Sequence, residues 1–236
     1  MKRETIFGIR PVVEALGSGR RKVLEVVDAV GNEEVANAAG ARNVGVRRAS
    51  RQRVEELARS EAHQGVAASV EPYPYSGLEE ILFPPEPLVL VLDGVTDPRN
   101  LGAVLRAADA AGASGVVIPR NRAVGVTPAA VKASAGASEH VRVARVTNLR
   151  RAVDAIKEAG LWVYAAEAGG TPYMELDLAG AVALVLGSEG RGVRRLVREG
   201  CDGTVSIPML GAVESLNVSV ACAVLLYEAR RSRGWP

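Results

Sequence analysis

Leu186-Gly187-Ser188-Glu189-Gly190, Ile207-Pro208-Met209 and Ser215-Leu216-Asn217-Val218-Ser219 are the stretches on which the fold of this chain turns. They are short polar or glycine-rich segments set at the ends of apolar runs, and the first and third each join a strand-like run to a helix-like run. In an open α/β sheet, ligands bind at the carboxyl ends of the strands. Further upstream, Asn100 and Arg106 follow another apolar run, residues 88–92. Together these segments point to one site assembled from distant parts of the chain.

Outward from these stretches, residues 88–230 alternate regularly. Strand-like runs fall at 88–92, 116–118, 141–143, 161–166, 182–186 and 205–207. Helical patterns lie between and after them, at 101–111, 128–135, 149–159, 192–198 and 216–230. Buried strands that read as apolar runs, alternating with helices, predict a mostly parallel sheet covered on both faces. Residues 1–71 read as a separate small α/β unit. It has helices over 9–16, 33–39 and 50–59, and strands near 23–27, 44–46 and 66–70. Between the two units, residues 72–87 carry Pro72, Pro74, Pro84, Pro85 and Pro87. That is too much proline for a regular element beyond one helical turn over 79–82, so the segment is expected to be a linker, stiff where proline is dense. The domain division is 1–71, 72–87 and 88–236.

Composition narrows the function. The 236 residues are 48% hydrophobic and 4% aromatic, so Val, Leu, Ala and Ile must fill the cores. Two cysteines and two histidines give neither a disulfide framework nor a common zinc site. The N-terminus lacks the apolar core of a leader, and no run approaches the ~18 apolar residues of a membrane span. A soluble, cytoplasmic protein without metal is the expectation. The overall charge of +2 hides an asymmetry: residues 1–70 hold 12 Lys and Arg against 9 Asp and Glu, whereas the remainder holds 17 against 18. The basic excess includes Arg20, Arg21, Arg47, Arg48 and Arg51, and the guanidinium fork suits phosphate. Charge alone leaves RNA binding and an ordinary solvated face equally open.

The motifs exclude two nucleotide sites. Gly187-Ser188-Glu189-Gly190-Arg191-Gly192 has the spacing G-x-x-G-x-G, not the dinucleotide fingerprint, and no acidic residue follows about 20 positions on. It is not a phosphate-binding P-loop either, since it lacks Gly-Lys-Ser/Thr. Asp97 and Pro98 open a helix well, and Arg99, Ala103, Arg106 and Ala110 share one face of it, with room for close approach at Arg106. Taken alone, that is also the pattern of a surface arginine on a capped helix. Ser215 is a plausible cap for the last helix, while Asn217 and Ser219 are unexpected polar residues at the start of so apolar a helix.

In combination, residues 93–112, 184–192 and 207–228 resemble the three signature motifs of the SpoU (TrmH-type) RNA ribose methyltransferases. Ile6-Phe7-Gly8-Ile9-Arg10, His63-Gln64-Gly65-Val66 and Val146-Thr147-Asn148-Leu149 are similar to the subgroup that methylates a guanosine of 23S ribosomal RNA. The likeness covers essentially the whole chain. It implies transfer of a methyl group from S-adenosylmethionine to a ribose 2′-hydroxyl. The implied fold is a C-terminal trefoil-knotted, SPOUT-type sheet preceded by a small L30e-like RNA-binding domain. It also implies a homodimer packed through the knot. On this resemblance the functional positions are Asn100, Arg106, Glu189, Ser215 and Asn217. The cofactor is expected near Gly187, Glu189, Ile207, Met209, Ser215 and Leu216, and RNA at Arg20, Arg21, Arg47, Arg48 and Arg51. The same chemistry on transfer RNA and a non-catalytic RNA-binding assembly factor are the competing readings.

Overall fold

A computed structural model describes residues 3–188 and 190–234. The first unit runs β1 (Glu4–Phe7), α1 (Ile9–Ser18), β2 (Val23–Asp28), α2 (Glu33–Ala41), β3 (Val46–Arg48), α3 (Arg51–Ala58) and β4 (Val66–Val70). Its four-stranded sheet has the order β1-β4-β2-β3. β4 lies antiparallel between β1 and β2, and β3 is parallel to β2 at the edge. Asn32 and Ser50 cap α2 and α3 through their side chains, each accepting an amide hydrogen three residues on. β1 is an addition to the sequence reading, which begins the domain at its first helix.

The segment after β4 is not a free tether. Tyr73 and Ile81 are buried, α4 (Leu78–Leu82) packs against the second unit, and the Ser76 amide donates to the carbonyl of Val143 at 2.9 Å. The single helical turn expected here is present, four residues of it coinciding.

The second unit comprises β5 (Leu88–Asp93), α5 (Pro98–Ala110), β6 (Gly115–Pro119), α6 (Pro128–Ala133), β7 (Val143–Val146), α7 (Leu149–Glu158), β8 (Trp162–Pro172), β9 (Val182–Gly187), α8 (Arg195–Arg198), β10 (Gly203–Ser206) and α9 (Val218–Ser232). Its sheet has the order β10-β8-β9-β5-β6-β7, and every neighbouring pair is parallel. The apolar run of β5 explains the layering. Leu88, Leu90 and Leu92 enter a core shared with α5, α6 and α9, while Val89 and Val91 enter one shared with α4, α7 and α8. Successive side chains on a strand point to opposite faces, so a strand covered on both sides must be apolar throughout. Gly102 allows α5 to lie close on α6, because a Cβ there would come within 2.4 Å of the Ala133 Cβ.

Several boundaries differ from the sequence expectation: β3 and α9 lie two residues later, and β10 begins two residues earlier. β7 lies two to three residues later. β8 continues to Pro172 because its distal half pairs with β10 across a register shift. α8 has only four residues, since 190–194 is turn and loop.

Candidate active site

The apolar strands β5 and β9 run in register to Asp93 opposite Gly187, and the candidate site begins where they stop. Beyond Gly187 the chain doubles back at once. A Cβ on Gly187 would lie 1.9 Å from the Gly192 carbonyl carbon, and Ser188 bridges to Gly192. Only glycine fits a turn closed this tightly. The turn is tied down by Asp93, whose buried carboxylate accepts the Arg194 amide at 2.8 Å and the Arg194 guanidinium at 2.7 Å. Sequence reasoning passed over Asp93. The signal was available: one carboxylate ending an otherwise apolar strand.

The N-terminal end of α9 meets that of α5. Asn217 Nδ2 donates to Asn100 Oδ1 at 3.0 Å across 117 residues of sequence. Asn217 Oδ1 in turn accepts the Ser219 amide at 2.9 Å and the Ser219 hydroxyl at 2.6 Å. Asn217, not Ser215, therefore caps α9; Ser215 lies exposed two residues before it. Of the two polar residues that looked out of place at the head of an apolar helix, Asn217 ties that head to α5 and Ser219 closes the cap onto Asn217.

Arg106 stands six residues beyond Asn100 on α5, or about 9 Å of helical rise. It is exposed and makes no hydrogen bond or ion pair among the described residues. Its helix neighbours Ala103, Ala107 and Ala110 leave it uncrowded. Glu189 lies outside the described residues. Ile207 and Leu216 are half-buried and Met209 is exposed, on a segment between β10 and α9 that runs over the surface. The backbone of residues 209–214 makes no hydrogen bond among the described residues, and Leu210 and Val213 are 100% and 69% exposed. Unpaired polar backbone beside uncovered apolar side chains marks a segment built to be covered.

The expected RNA-contacting arginines separate into two groups. Arg47, Arg48 and Arg51 are exposed at the edge strand β3 and the start of α3. Arg47 pairs with Glu25 at 2.8 Å and Arg48 approaches Asp28 at 3.8 Å. Arg20 and Arg21 are elsewhere, in the seam between the two units. Arg21 is buried and forked onto Glu139, at 2.5 and 3.2 Å. Arg20 donates to the Val141 carbonyl and to Ser76 Oγ. Both guanidinium groups lie over the Tyr73 ring. Burial pushes the Tyr73 phenol well above its usual range, so it stays protonated and donates to the carbonyls of Ser138 and Val141. The adjacency of Arg20 and Arg21 in sequence fixed their proximity to each other, not to a solvent face.

No group of His, Cys, Asp and Glu able to hold a metal ion occurs among the described residues, and no helix there is long and apolar enough to cross a membrane.

Comparison with known proteins assigns these segments. Residues 87–227 match the SpoU rRNA Methylase family, and residues 5–76 match the RNA 2′-O ribose methyltransferase substrate-binding family. The 23S rRNA (guanosine-2′-O-)-methyltransferase RlmB of Photorhabdus laumondii is 44% identical, covering 98% of each chain. YacO of Bacillus subtilis, named for the TrmH family of tRNA/rRNA methyltransferases, is 40% identical over 98% of this chain and 97% of its own. Among solved structures, the SpoU methyltransferase AviRb of Streptomyces viridochromogenes in complex with AdoMet superposes with a TM-score of 0.84. It is 28% identical and covers 98% of this chain and 90% of that one.

Proposed function

The chain belongs to the SpoU rRNA methylase family, and we propose that it methylates the ribose 2′-hydroxyl of a guanosine in 23S ribosomal RNA. It is an S-adenosylmethionine-dependent RNA 2′-O-methyltransferase. The observation that carries the reading is the Asn217–Asn100 hydrogen bond, which joins the first and third motifs at one place. The 44% identity with the guanosine methyltransferase favours 23S RNA. The tRNA/rRNA name of the Bacillus subtilis relative keeps transfer RNA as the second reading.

The residues present suit the cofactor. Gly187 leaves no room for a side chain, Ser188 returns to Gly192, and residues 209–214 offer unpaired amides and carbonyls beside apolar side chains. Gly187, Ile207, Met209, Ser215 and Leu216 hold S-adenosylmethionine, largely through backbone groups. The same two segments form the crossings of the trefoil knot. When bound, S-adenosylmethionine supplies an electrophilic methyl group on a sulfonium. The chain's residues would position the ribose 2′-hydroxyl for transfer and accept the hydroxyl proton. Asn100 and Asn217 fix the heads of the two helices. Arg106 orients the ribose phosphate and stabilises the alkoxide as it develops, because a guanidinium is a permanent cation in proteins and a donor, not a base. Glu189 is the carboxylate suited to receive the proton. Arg47, Arg48 and Arg51 meet RNA phosphates on the N-terminal domain.

Two copies complete the enzyme. Val220 and Tyr227 lie seven residues apart on one stripe of α9 and are exposed, as are Met209, Leu210 and Val213. A second C-terminal domain covering this face gives the homodimer.

Two measurements test the reading. Radiolabelled methyl from S-adenosylmethionine is expected on one ribose of unmodified 23S RNA after nuclease digestion. Label only on transfer RNA selects the second reading, and no label on either with no cofactor binding makes the protein a non-catalytic RNA-binding factor. Gly187→Ala is expected to weaken S-adenosylmethionine binding at least about tenfold by calorimetry, the cost of about 1.4 kcal/mol. Wild-type affinity in that variant removes the 187–192 loop from the cofactor site.

A further inference from the structure

The turn that follows β6 reaches the same end of the sheet as Gly187, and no motif above includes it. The Arg122 carbonyl lies 4.0 Å and the Ser188 Cβ 3.7 Å from where a Cβ on Gly94 would stand, so this turn, the end of β5 and the end of β9 meet at Gly94. Three further contacts fix it. The Val124 amide donates to the Val95 carbonyl at 2.9 Å, the Arg120 amide to the Val146 carbonyl at 2.8 Å, and Arg145 Nη2 to the Arg120 carbonyl at 3.2 Å. Arg122 itself is held at φ 57°, a left-handed conformation that costs a non-glycine residue of order 1 kcal/mol or more and persists only where surroundings impose it. Its guanidinium is exposed and has no hydrogen bond or ion pair among the described residues, although arginines pair widely elsewhere in this chain.

The residue that holds this turn comes from the interdomain segment. Tyr75 Oη accepts the Val126 amide at 2.9 Å, its ring carries the Arg145 guanidinium 4.9 Å from the centroid, and the Tyr73 ring meets it edge-on at 5.0 Å. A cation without a protein partner among the described residues, carried on a constrained turn at the mouth of a site that takes RNA, matches what a backbone phosphate requires.

We propose that Arg122 grips an RNA phosphate beside the target nucleotide, and that Tyr75 is the positioning residue that holds its turn in place. This rests on the proposed function, but its test does not require turnover. Filter binding of unmodified 23S RNA across a salt titration is expected to show Arg122→Ala weakening RNA affinity about three- to tenfold, with the salt slope shallower by about one. Arg122→Lys, which keeps the charge, is expected to retain that slope. S-adenosylmethionine affinity stays at the wild-type value in each variant. Tyr75→Phe removes only the hydroxyl; it is expected to weaken RNA binding less, and to add nothing when combined with Arg122→Ala. Unchanged affinity and slope in Arg122→Ala overturn the phosphate contact. Additive losses in the double variant overturn the positioning role of Tyr75. Absence of methylation by the wild-type protein, measured alongside, counts against the enzyme reading and leaves the binding result to decide Arg122.

Discussion

Arg106→Ala is expected to lower single-turnover methyl transfer to 23S RNA by about 10²–10³-fold, the usual loss when one stabilising donor at a developing oxyanion is removed. S-adenosylmethionine affinity should stay at the wild-type value, since Arg106 stands outside the segments proposed to hold the cofactor. The structure makes the test clean. Arg106 is exposed on α5, has no ion pair or hydrogen bond among the described residues, and is flanked by alanines. Such a surface substitution usually moves stability by no more than about 0.5 kcal/mol, so lost activity reports on chemistry and not on folding. Arg106→Lys separates two roles. If the residue supplies only charge, the lysine variant recovers much of the rate; if the planar fork orients the ribose phosphate, it does not. A fully active Arg106→Ala removes this residue from the mechanism.

The C-terminal sheet was legible in the sequence because both its faces are covered. Such strands contain little but Val, Leu, Ile and Ala, and each stands out between helices. β1 was missed for the opposite reason: Glu4 and Thr5 are only half-buried, so four residues carry little pattern, and the strand exists because β4 lies beside it. The distal half of β8 was missed likewise: the apolar run ends at Ala166, and the strand continues only because Thr171 and Pro172 pair with Val205 and Ser206 of β10 beyond the register shift. At the site, Asn100 and Asn217 were chosen from the motifs, and the structure brings them into contact. The capping role went to Asn217, since only three-dimensional structure decides which of two neighbouring polar residues turns its oxygen to the helix amides. Arg20 and Arg21 show the limit most plainly. Their partners Glu139 and Val141 lie about 120 residues away in sequence, and no local pattern announces such a pairing.

That pairing sets the second large effect. Arg21→Ala is expected to destabilise the protein by about 3–5 kcal/mol, the cost of stranding one member of a buried ion pair. The two partners are not equivalent. Glu139 is fully enclosed and has Arg21 as its ion-pair partner, whereas Arg21 also reaches Glu4 at 3.3 Å and the Glu71 carbonyl at 3.4 Å. Losing Glu139 leaves the arginine with acceptors; losing Arg21 leaves the carboxylate with no cation. Glu139→Ala should therefore cost less than Arg21→Ala in urea unfolding, though it opens the same seam. An apolar pair of similar volume, Arg21→Met with Glu139→Leu, removes both charges and is expected to be more stable than either single variant. Equal losses from the two singles, or a double variant no better than Arg21→Ala, would show that packing around Tyr73, and not the ion pair, joins the domains. Because Tyr73 touches Tyr75, and Tyr75 holds the Arg122 turn, the same variants reach the active-site mouth. Loosening the seam is therefore expected to weaken 23S RNA binding in Arg21→Ala even at temperatures where the protein remains folded, and to leave S-adenosylmethionine affinity unchanged.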